Sequence, residues 1–278
     1  MSASQSEKAA KFRTLHEGPG AFVIPNPWDV GSARVLAALG FKALATTSAG
    51  FAFSLGRRDG EGLVTRDEAL AHCRAIVAAS ELPVSADLEN CFGAAPEVVA
   101  TTIRLAGESG LVGASVEDAT GDPERPIYDH ALAVERVAAA VEAARAQPFP
   151  FTLTARAENF LHGRRDLKDT IRRLQAFAAA GADVLYAPGL PSVEAIKAVC
   201  AAVAPRPVNV LAGGAAAAMS VAELAAAGVR RISLGGALYR AAFGAFLSAA
   251  RETKERGSFA FVAEAATHAE LSGFMAGR

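Results

Sequence analysis

A recurring pattern of apolar and polar positions divides the chain into helix and strand segments. An alanine-rich stretch of helical character is followed by a glycine, then by a short apolar run, and finally by polar residues. The pattern occurs as AALGFKALATTS, ESGLVGASVED, AAAGADVLYAPG and AAAGVRRISLGG. The glycines in these segments are predicted to end the helices, because glycine adopts the left-handed backbone of a helix C-terminus without steric cost. They are Gly40, Gly110, Gly181 and Gly228.

Extending this pattern to the whole chain predicts eight strands and eight main helices. The strands are expected at residues 21–27, 42–48, 83–89, 113–118, 151–157, 183–188, 207–212 and 231–235. Their continuous apolar runs are typical of strands that are buried on both faces. The helices, which have apolar residues at helical spacing, are expected at residues 29–39, 66–80, 96–109, 132–147, 166–180, 192–203, 220–227 and 238–256.

The alternation of strands and helices indicates parallel strands joined by helical crossovers. Eight such units in about 250 residues match the size of a (β/α)8 TIM barrel. We therefore predict an α/β fold with a single barrel domain over residues 1–278, in which residues 1–20 and 258–278 form helical extensions. A doubly wound open sheet is the alternative, but the glycine-rich phosphate loop that usually follows its first strand is replaced here by NPWDVGS.

Composition and charge narrow the range of partners. Hydrophobic residues make up 51% of the 278 residues, which suits a domain with a large core. Because 28 Lys and Arg balance 29 Asp and Glu, no nucleic acid partner is expected.

No membrane association is expected either. The opening segment MSASQSEKAAKF lacks the apolar core of a secretory signal, and the most apolar window, residues 211–229, contains Ser220 and Glu223. Three scattered cysteines without a zinc or disulfide pattern favour a reducing cytoplasm.

Charged residues stand where several predicted strands end. Asp87 and Glu89 lie two residues apart and therefore on the same side of the third strand, Glu117 ends the fourth strand, and Arg156 ends the fifth. Barrel enzymes carry their chemistry at this end of the strands. Clustered carboxylates repel one another unless a cation lies among them, and oxygen ligands suggest Mg²⁺ or Mn²⁺. For any single carboxylate the alternative is a structural role, as a helix cap or as a partner of Arg156.

Several segments together resemble the isocitrate lyase and phosphoenolpyruvate mutase superfamily. They are NPWDVGSARVLAALGFKALATTSAGFAFSLGRRDG, LPVSADLENCFG, SVEDAT, LTARAENF and PVNVLAGG, and the similarity extends from about Phe22 to the last barrel helix. The resemblance implies a Mg²⁺-dependent enzyme that binds an α-keto acid or its enolate and breaks or makes a C–C or P–C bond beside the carbonyl. It also implies that Asp87, Glu89 and Glu117 hold the metal, largely through water.

The same resemblance implies roles for further residues. Thr47, Ser48 and Ala49 correspond to a turn whose backbone cradles the substrate carboxylate. Asp59 corresponds to an acidic residue that closes the mouth near the metal, and Arg156 to an arginine that grips substrate oxygens, for which its bidentate guanidinium is suited. Cleavage beside a carbonyl leaves enolate charge, which a metal next to Arg156 would stabilise.

Other positions define the expected pocket and separate this chain from known members. Trp28 and Asn209, at the ends of the first and seventh strands, are expected to line the pocket. The superfamily's lyases carry a Lys-Cys-Gly-His loop after the fourth strand and its mutases a Lys-x-Asn, whereas residues 119–130 here read ATGDPERPIYDH. Chemistry through a cysteine acid and phosphonomutase activity are therefore not expected, and Cys91 is interpreted as a small packed residue. Pro188 replaces a substrate-binding Glu of some lyases, which disfavours a large tricarboxylate.

The segment 119–130 is predicted to be a mobile lid. Its glycine and its two prolines oppose regular structure. A lid that closes over an enolate would exclude water and bring Arg125 or Tyr128 to the substrate as a proton donor or charge stabiliser. The alternative is an ordinary surface loop.

The leading hypothesis is a Mg²⁺-dependent lyase or hydrolase that acts on a small α-keto acid of the oxaloacetate type. A metal-dependent aldolase and a barrel that binds an α-keto acid without turnover remain alternatives. Glycine pairs at 213–214 and 235–236 keep a phosphate-sugar barrel open, although tight turns alone explain them. A homo-oligomer, dimer or tetramer, is expected, because superfamily members commonly exchange the last barrel helix and residues 259–278 would leave apolar surface exposed in a monomer.

Overall fold

Eight parallel strands form the centre of the molecule, which a computed structural model describes for residues 3–276. The strands are β1 (Phe22–Ile24), β2 (Leu44–Ala45), β3 (Val84–Asp87), β4 (Gly113–Glu117), β5 (Thr152–Arg156), β6 (Val184–Tyr186), β7 (Val208–Leu211) and β8 (Arg231–Ser233). Each lies within its predicted range. The ends of the two predicted extensions, residues 1–2 and 277–278, lie outside the described residues.

The sheet curves into a nearly closed barrel. Its hydrogen-bonded order is β1-β8-β7-β6-β5-β4-β3-β2, so from β2 to β8 each strand neighbours the next one along the chain, and β8 pairs with β1. Between the two ends of this order, the Ala45 amide donates to the Pro25 carbonyl at 3.0 Å, and Asn26 Nδ2 donates to the Thr46 carbonyl at 2.9 Å. The predicted (β/α)8 barrel is confirmed.

Helices surround the barrel and extend beyond it at both ends of the chain. They are α1 (Gln5–Glu17), α2 (Val30–Ala38), α3 (Ser48–Ser54), α4 (Arg66–Ala79), α5 (Pro96–Glu108), α6 (His130–Arg145), α7 (Leu167–Ala179), α8 (Val193–Val203), α9 (Val221–Ala226), α10 (Ala237–Arg256) and α11 (His268–Met275). The eight predicted main helices agree with α2 and α4–α10 to within two residues at each end. The short helix α3 was not predicted. No helix within residues 3–276 is both long enough and apolar enough to cross a membrane.

Local sequence signals explain where the helices begin and end. Asp29 caps α2 by accepting a hydrogen bond from the Ser32 amide at 2.6 Å, and Thr65 with Glu68 forms a capping box on α4. The predicted glycine stops all have positive φ, at 87° for Gly40, 88° for Gly110, 104° for Gly181 and 95° for Gly228. At Gly110 a side chain would also collide with Val77, because an added Cβ would lie 2.8 Å from its Cγ1.

The first helix, α1, closes the N-terminal end of the barrel. Phe12 is completely buried and packs with Ile24, Ala43 and Val112 in a small apolar cluster. Ala43 and Val112 directly precede β2 and β4, so this cluster lies where the strands begin. The carboxyl ends of the strands are left open on the opposite side, which is where the predicted site residues lie.

A buried histidine on α1 is expected to make stability depend on pH. Burial, and after it the charge of Arg231, lowers the pKa of His16 to about 3. The unfolded chain binds this proton with an ordinary pKa of about 6.5. The free energy of unfolding should therefore fall as the pH decreases from about 6.5 towards 3, by up to about 1.4 kcal/mol per pH unit from this group.

Urea unfolding between pH 7 and pH 4.5 tests this dependence. The variant His16→Gln should show a shallower pH dependence than the wild type, whereas His268→Gln, which changes an exposed histidine, should keep the wild-type slope. Equal slopes in all three proteins would contradict the account of His16.

Candidate active site

Arg156 occupies the centre of the open end of the barrel. It ends β5, and Glu117, which ends β4, is its neighbour in the sheet register. The Arg156 guanidinium contacts Asp87 Oδ1 at 2.8 Å, Glu117 Oε2 at 3.2 Å and Glu158 Oε1 at 2.9 Å. All four side chains are at most 20% exposed. The predicted convergence of strand-end charges is therefore present, with the arginine between the carboxylates.

The turn after β2 supports the carboxylate at the end of β3. The amide and hydroxyl of Ser48 donate to Asp87 Oδ2 at 3.3 and 3.0 Å. Thr47 caps α3 by accepting from the Gly50 amide at 3.3 Å, and Ala49 lies in the first turn of the same helix. Thr47, Ser48 and Ala49, predicted as a cradle for a substrate carboxylate, thus lie beside Asp87, and Ser48 holds this carboxylate in place.

The carboxylates at the mouth raise one another's pKa values, because each negative charge makes its neighbours harder to ionise. Burial, and after it the charges of Asp87 and Asp59, raise the pKa of Glu89 to about 7. Burial and the charge of Asp87 also raise the pKa of Asp59. Burial is the main cause of the raised pKa of Glu117, although Arg156 acts in the opposite direction. The carboxylates at the mouth therefore outnumber the Arg156 guanidinium with which Asp87, Glu117 and Glu158 are paired.

The donor set at the mouth fits a hard divalent cation. Within residues 3–276, no three His, Cys, Asp or Glu side chains already converge around a metal position, and Arg156 lies between Asp87 and Glu117. However, Mg²⁺ usually keeps several water molecules and takes only one or two carboxylates directly. The oxygen ligands therefore match the chemistry of Mg²⁺ or Mn²⁺.

Two large clefts distinguish the ends of the barrel. The cleft at the carboxyl ends, here called the mouth cleft, has a volume of about 920 Å³, and its lining includes Ser48, Asp59, Glu89, Glu117, Tyr128 and Arg156. A larger cleft of about 1260 Å³ lies where the strands begin. Its two acidic residues, Glu17 and Asp183, are both paired with arginines. We therefore assign the candidate site to the mouth cleft, although it is the smaller of the two, because the strand-end carboxylates and Arg156 lie there.

Two residues predicted to line the pocket lie outside the lining of the mouth cleft. The Trp28 ring packs edge-on against Tyr239, with 5.5 Å between ring centroids. Asn209 is 1% exposed, and its amide is engaged inside the barrel. Its Oδ1 accepts from Arg231 at 2.9 Å, and its Nδ2 donates to Ser233 at 3.0 Å.

The loop after β4 contains both residues that were predicted as lid residues. Tyr128 is 9% exposed and borders the mouth cleft. Arg125 points away from it, because its side chain is 86% exposed and pairs with Asp122 at 3.5 Å. The loop is held together by a bridge between Ala119 and Ile127. The structure thus brings Tyr128, but not Arg125, to the site.

Some site residues were given no role in the sequence analysis. Glu158 is only 3% exposed and bonds to Arg156, and the Tyr186 ring lies 5.0 Å from the same guanidinium. The spacing of two between Arg156 and Glu158 was a usable signal, because it places them on one side of an extended chain. Asp118 holds Glu158 in place by accepting from its amide at 2.8 Å.

Cys91, which follows the third strand, is a packed residue, as predicted. Cys91 is completely buried, and burial raises the pKa of its thiol to about 12. A thiol with this pKa stays protonated at neutral pH, so it is a poor nucleophile.

Fold and site together define a (β/α)8-barrel enzyme whose acidic, arginine-bridged centre lies at the carboxyl ends of the strands. The chain belongs to the phosphoenolpyruvate phosphomutase family, whose sequence profile matches residues 12–254. The predicted membership of the isocitrate lyase and phosphoenolpyruvate mutase superfamily is confirmed.

Solved structures of similar chains agree with this assignment. A candidate lyase/mutase from Burkholderia cenocepacia J2315 is 58% identical, with a TM-score of 0.94 over 98% of this chain and 96% of that one. A 2,3-dimethylmalate lyase of the superfamily is 29% identical, with a TM-score of 0.85 over 96% and 94%. An oxaloacetate acetylhydrolase in complex with its product oxalate is 27% identical, with a TM-score of 0.87 over 98% and 94%.

Removing the central arginine should destabilise the fold. Arg156→Met would leave Asp87, Glu117 and Glu158 without their shared cation, and we expect the free energy of unfolding to fall by about 3 kcal/mol at pH 8 without added metal. The loss should be smaller at pH 5, because the orphaned carboxylates can then take up protons. Urea unfolding measures both values.

The matched control for this variant is Arg125→Met, which removes an arginine that is 86% exposed. It should change the free energy of unfolding by no more than ~0.5 kcal/mol. A similarly small effect of Arg156→Met would contradict the description of the site as a buried charge cluster.

Proposed function

We propose that this chain is a Mg²⁺-dependent lyase or hydrolase, also able to use Mn²⁺, that cleaves a C–C or P–C bond next to the carbonyl of a small α-keto acid. The single observation that carries the proposal is the Arg156 guanidinium held among Asp87, Glu117 and Glu158 at the mouth of the barrel. The similarity to a 2,3-dimethylmalate lyase and to an oxaloacetate acetylhydrolase supports the substrate class. Oxaloacetate is the first substrate to test.

In this proposal Arg156 binds the oxygens of the substrate. A guanidinium has five N–H donors, and two of them are used in hydrogen bonds, from Nε to Glu158 and from Nη1 to Asp87. The other N–H groups, one on Nη1 and two on Nη2 beside Glu117, are left for a substrate carboxylate or keto oxygen. Because Asp87, Glu117 and Glu158 fix the guanidinium plane, these donors are already oriented before the substrate binds.

Asp87, Glu89 and Glu117 are the proposed metal-holding residues, and Ser48 keeps Asp87 oriented. When bound there, Mg²⁺ would polarise the keto oxygen and stabilise the negative charge that develops on the enolate. Asp59 also lines this cleft, and in this proposal it closes the mouth near the metal.

With oxaloacetate as the substrate, water would give up a proton to a carboxylate of the mouth and add to the keto carbon, and the bond from this carbon to the neighbouring CH2 would then break. The former keto carbon becomes a carboxyl carbon of oxalate, while the electron pair stays on the CH2 carbon as the enolate of acetate, which takes a proton at carbon. We propose Tyr128 as the donor of this proton, because its side chain borders the mouth cleft. Arg125 would reach the substrate only if the segment 119–130 closes as a lid. A closed lid would also exclude water from the enolate.

The metal assignment predicts that Asp87→Ala abolishes both Mg²⁺ binding and turnover, because it removes the carboxylate to which Ser48 and Arg156 are both anchored. Calorimetry with Mg²⁺ and a panel of α-keto acids assayed with Mg²⁺ measure the two effects. Asp129→Ala is the control, since Asp129 is exposed and its side chain makes no capping bond to α6. Unchanged Mg²⁺ affinity in Asp87→Ala would contradict the metal site.

The same panel separates the alternatives. Cleavage of oxaloacetate or a similar keto acid supports the proposal. Turnover only when an aldehyde acceptor is added would indicate an aldolase, and binding of keto acids without any turnover would indicate a binding protein.

The lid assignment predicts a kinetic effect at two positions. Tyr128→Phe and Arg125→Ala should each lower kcat on the best keto acid by at least ~10-fold, because each removes a group that would donate a proton or stabilise charge. If both variants keep the wild-type kcat and KM, the loop does not carry the chemistry, and the proton comes from a strand-end residue.

We also propose that the chain forms a homo-oligomer, a dimer or a tetramer, in which a second copy covers α10 and the segment after it. Among the residues of α10, only Tyr239 is buried, while Phe243 is 43% exposed and Phe246 is 59% exposed. Farther along, Phe259 is 63% exposed and Val262 is 61% exposed. A helix of 20 residues with this apolar surface needs a partner.

Light scattering should therefore show an oligomer, and Phe246→Glu should weaken its association by at least ~10-fold by placing a charge in an apolar contact. Leu39→Glu is the control, because Leu39 is 62% exposed at the end of α2 and belongs neither to α10 nor to the segment after it. A monomer in the wild type, or equal association of both variants, would contradict the proposal.

A further inference from the structure

Arg136 is a buried cation next to the site. It lies in the middle of α6 and is 1% exposed. Among the described residues no carboxylate forms an ion pair with it, and its Nε has no hydrogen-bond partner. A buried charge without a counter-ion is costly, so the contacts of the other two nitrogens require an explanation.

The Arg136 side chain contacts two different loops. One guanidinium nitrogen donates to the carbonyls of Gly93 and Ala94, the latter at 2.7 Å, and the other donates to the carbonyl of Asn90 at 2.5 Å. The guanidinium carbon also lies 4.2 Å from the centre of the Tyr128 ring, in cation–π geometry. One side chain therefore connects the loop after β3 to the loop after β4.

The loop after β3 needs such support. Glu89, Cys91 and Phe92 have φ values of 50°, 60° and 63°, which place three non-glycine residues in the left-handed region. Such conformations persist only where the surroundings enforce them. The first of the three is Glu89, whose side chain borders the mouth cleft. The strained backbone thus determines where this carboxylate points.

We propose that Arg136 is a positioning residue that locks residues 88–95 in the left-handed arrangement that directs Glu89 into the mouth cleft, and that it fixes the Tyr128 ring at the same time. The inference rests on the proposed function in that it treats Glu89 as a metal-holding residue. Lysine cannot replace Arg136, because a guanidinium reaches three carbonyls with a planar fork and still stacks on the ring, whereas an ammonium group is a point charge.

Two measurements on the full chain test this role. The first is Mn²⁺ affinity, measured by electron paramagnetic resonance. The second is hydrogen exchange of two backbone amides, that of Cys91, which donates to the Leu88 carbonyl, and that of Phe92, which donates to Asn90 Oδ1. Arg136→Lys should weaken Mn²⁺ binding by at least ~10-fold and speed exchange of both amides by at least ~10-fold. Arg145→Lys is the matched control. It lies on the same helix but pairs with Asp183 at the other end of the barrel, so it should leave both values unchanged.

A double-mutant cycle tests whether Arg136 acts through Glu89. In the Glu89→Gln background, Arg136→Lys should change the Mn²⁺ affinity by less than about 2-fold, because the carboxylate that it positions is gone. An equal loss in both backgrounds would overturn the inference. It would also be overturned if Arg136→Lys lowered Tm while Mn²⁺ affinity and loop exchange stayed at wild-type values.

The proposed function can fail separately. If the wild-type chain binds no Mn²⁺, the metal assignment is wrong, and the exchange measurement in metal-free protein alone decides the role of Arg136. Faster exchange at Cys91 and Phe92 in Arg136→Lys but not in Arg145→Lys then supports the role of Arg136 as a positioning residue, and unchanged exchange overturns it.

Discussion

The shared guanidinium of Arg156 is the interaction on which the mouth of the barrel depends. Each carboxylate around it is largely buried and would be strongly destabilising without a counter-charge. The three carboxylates come from different parts of the sheet edge and all contact the same cation. Together they hold the Arg156 side chain in one orientation. The arrangement therefore stabilises the strand ends and presents oriented donors to an anion, so that structure and proposed chemistry rest on the same contacts.

The interior below the mouth has the opposite charge. Arg231, on β8, is 5% exposed and donates to Asn209 and to Thr154, at 2.9 and 3.0 Å. Burial, with a further contribution from the charge of Arg156, lowers its pKa to about 10. Because α1 closes the barrel beneath it, the positive interior faces the acidic mouth. The charge of Arg231 therefore partly offsets the carboxylates at the mouth.

The sequence predicted the features that depend on local pattern and missed those that depend on distant contacts. Strands and helices follow from apolar spacing and glycine stops, and the meeting of Asp87 with Glu117 follows from parallel strands ending at one edge. The helix α3 was missed because its apolar residues directly continue a strand-like run. The three carbonyls held by Arg136 leave no signal in the sequence, because they lie more than forty positions away from it. The left-handed backbone at Glu89, Cys91 and Phe92 is equally silent, because none of these residues is a glycine.

A crystal structure of the protein with Mg²⁺ and oxalate is the most direct test of the central claim that the arginine-bridged mouth is a metal-assisted α-keto acid site. The account predicts oxalate within hydrogen-bond distance of the Arg156 guanidinium and Mg²⁺ held, directly or through water, by Asp87, Glu89 and Glu117. Oxalate bound only in the cleft where the strands begin, or Mg²⁺ bound away from these carboxylates, would contradict it.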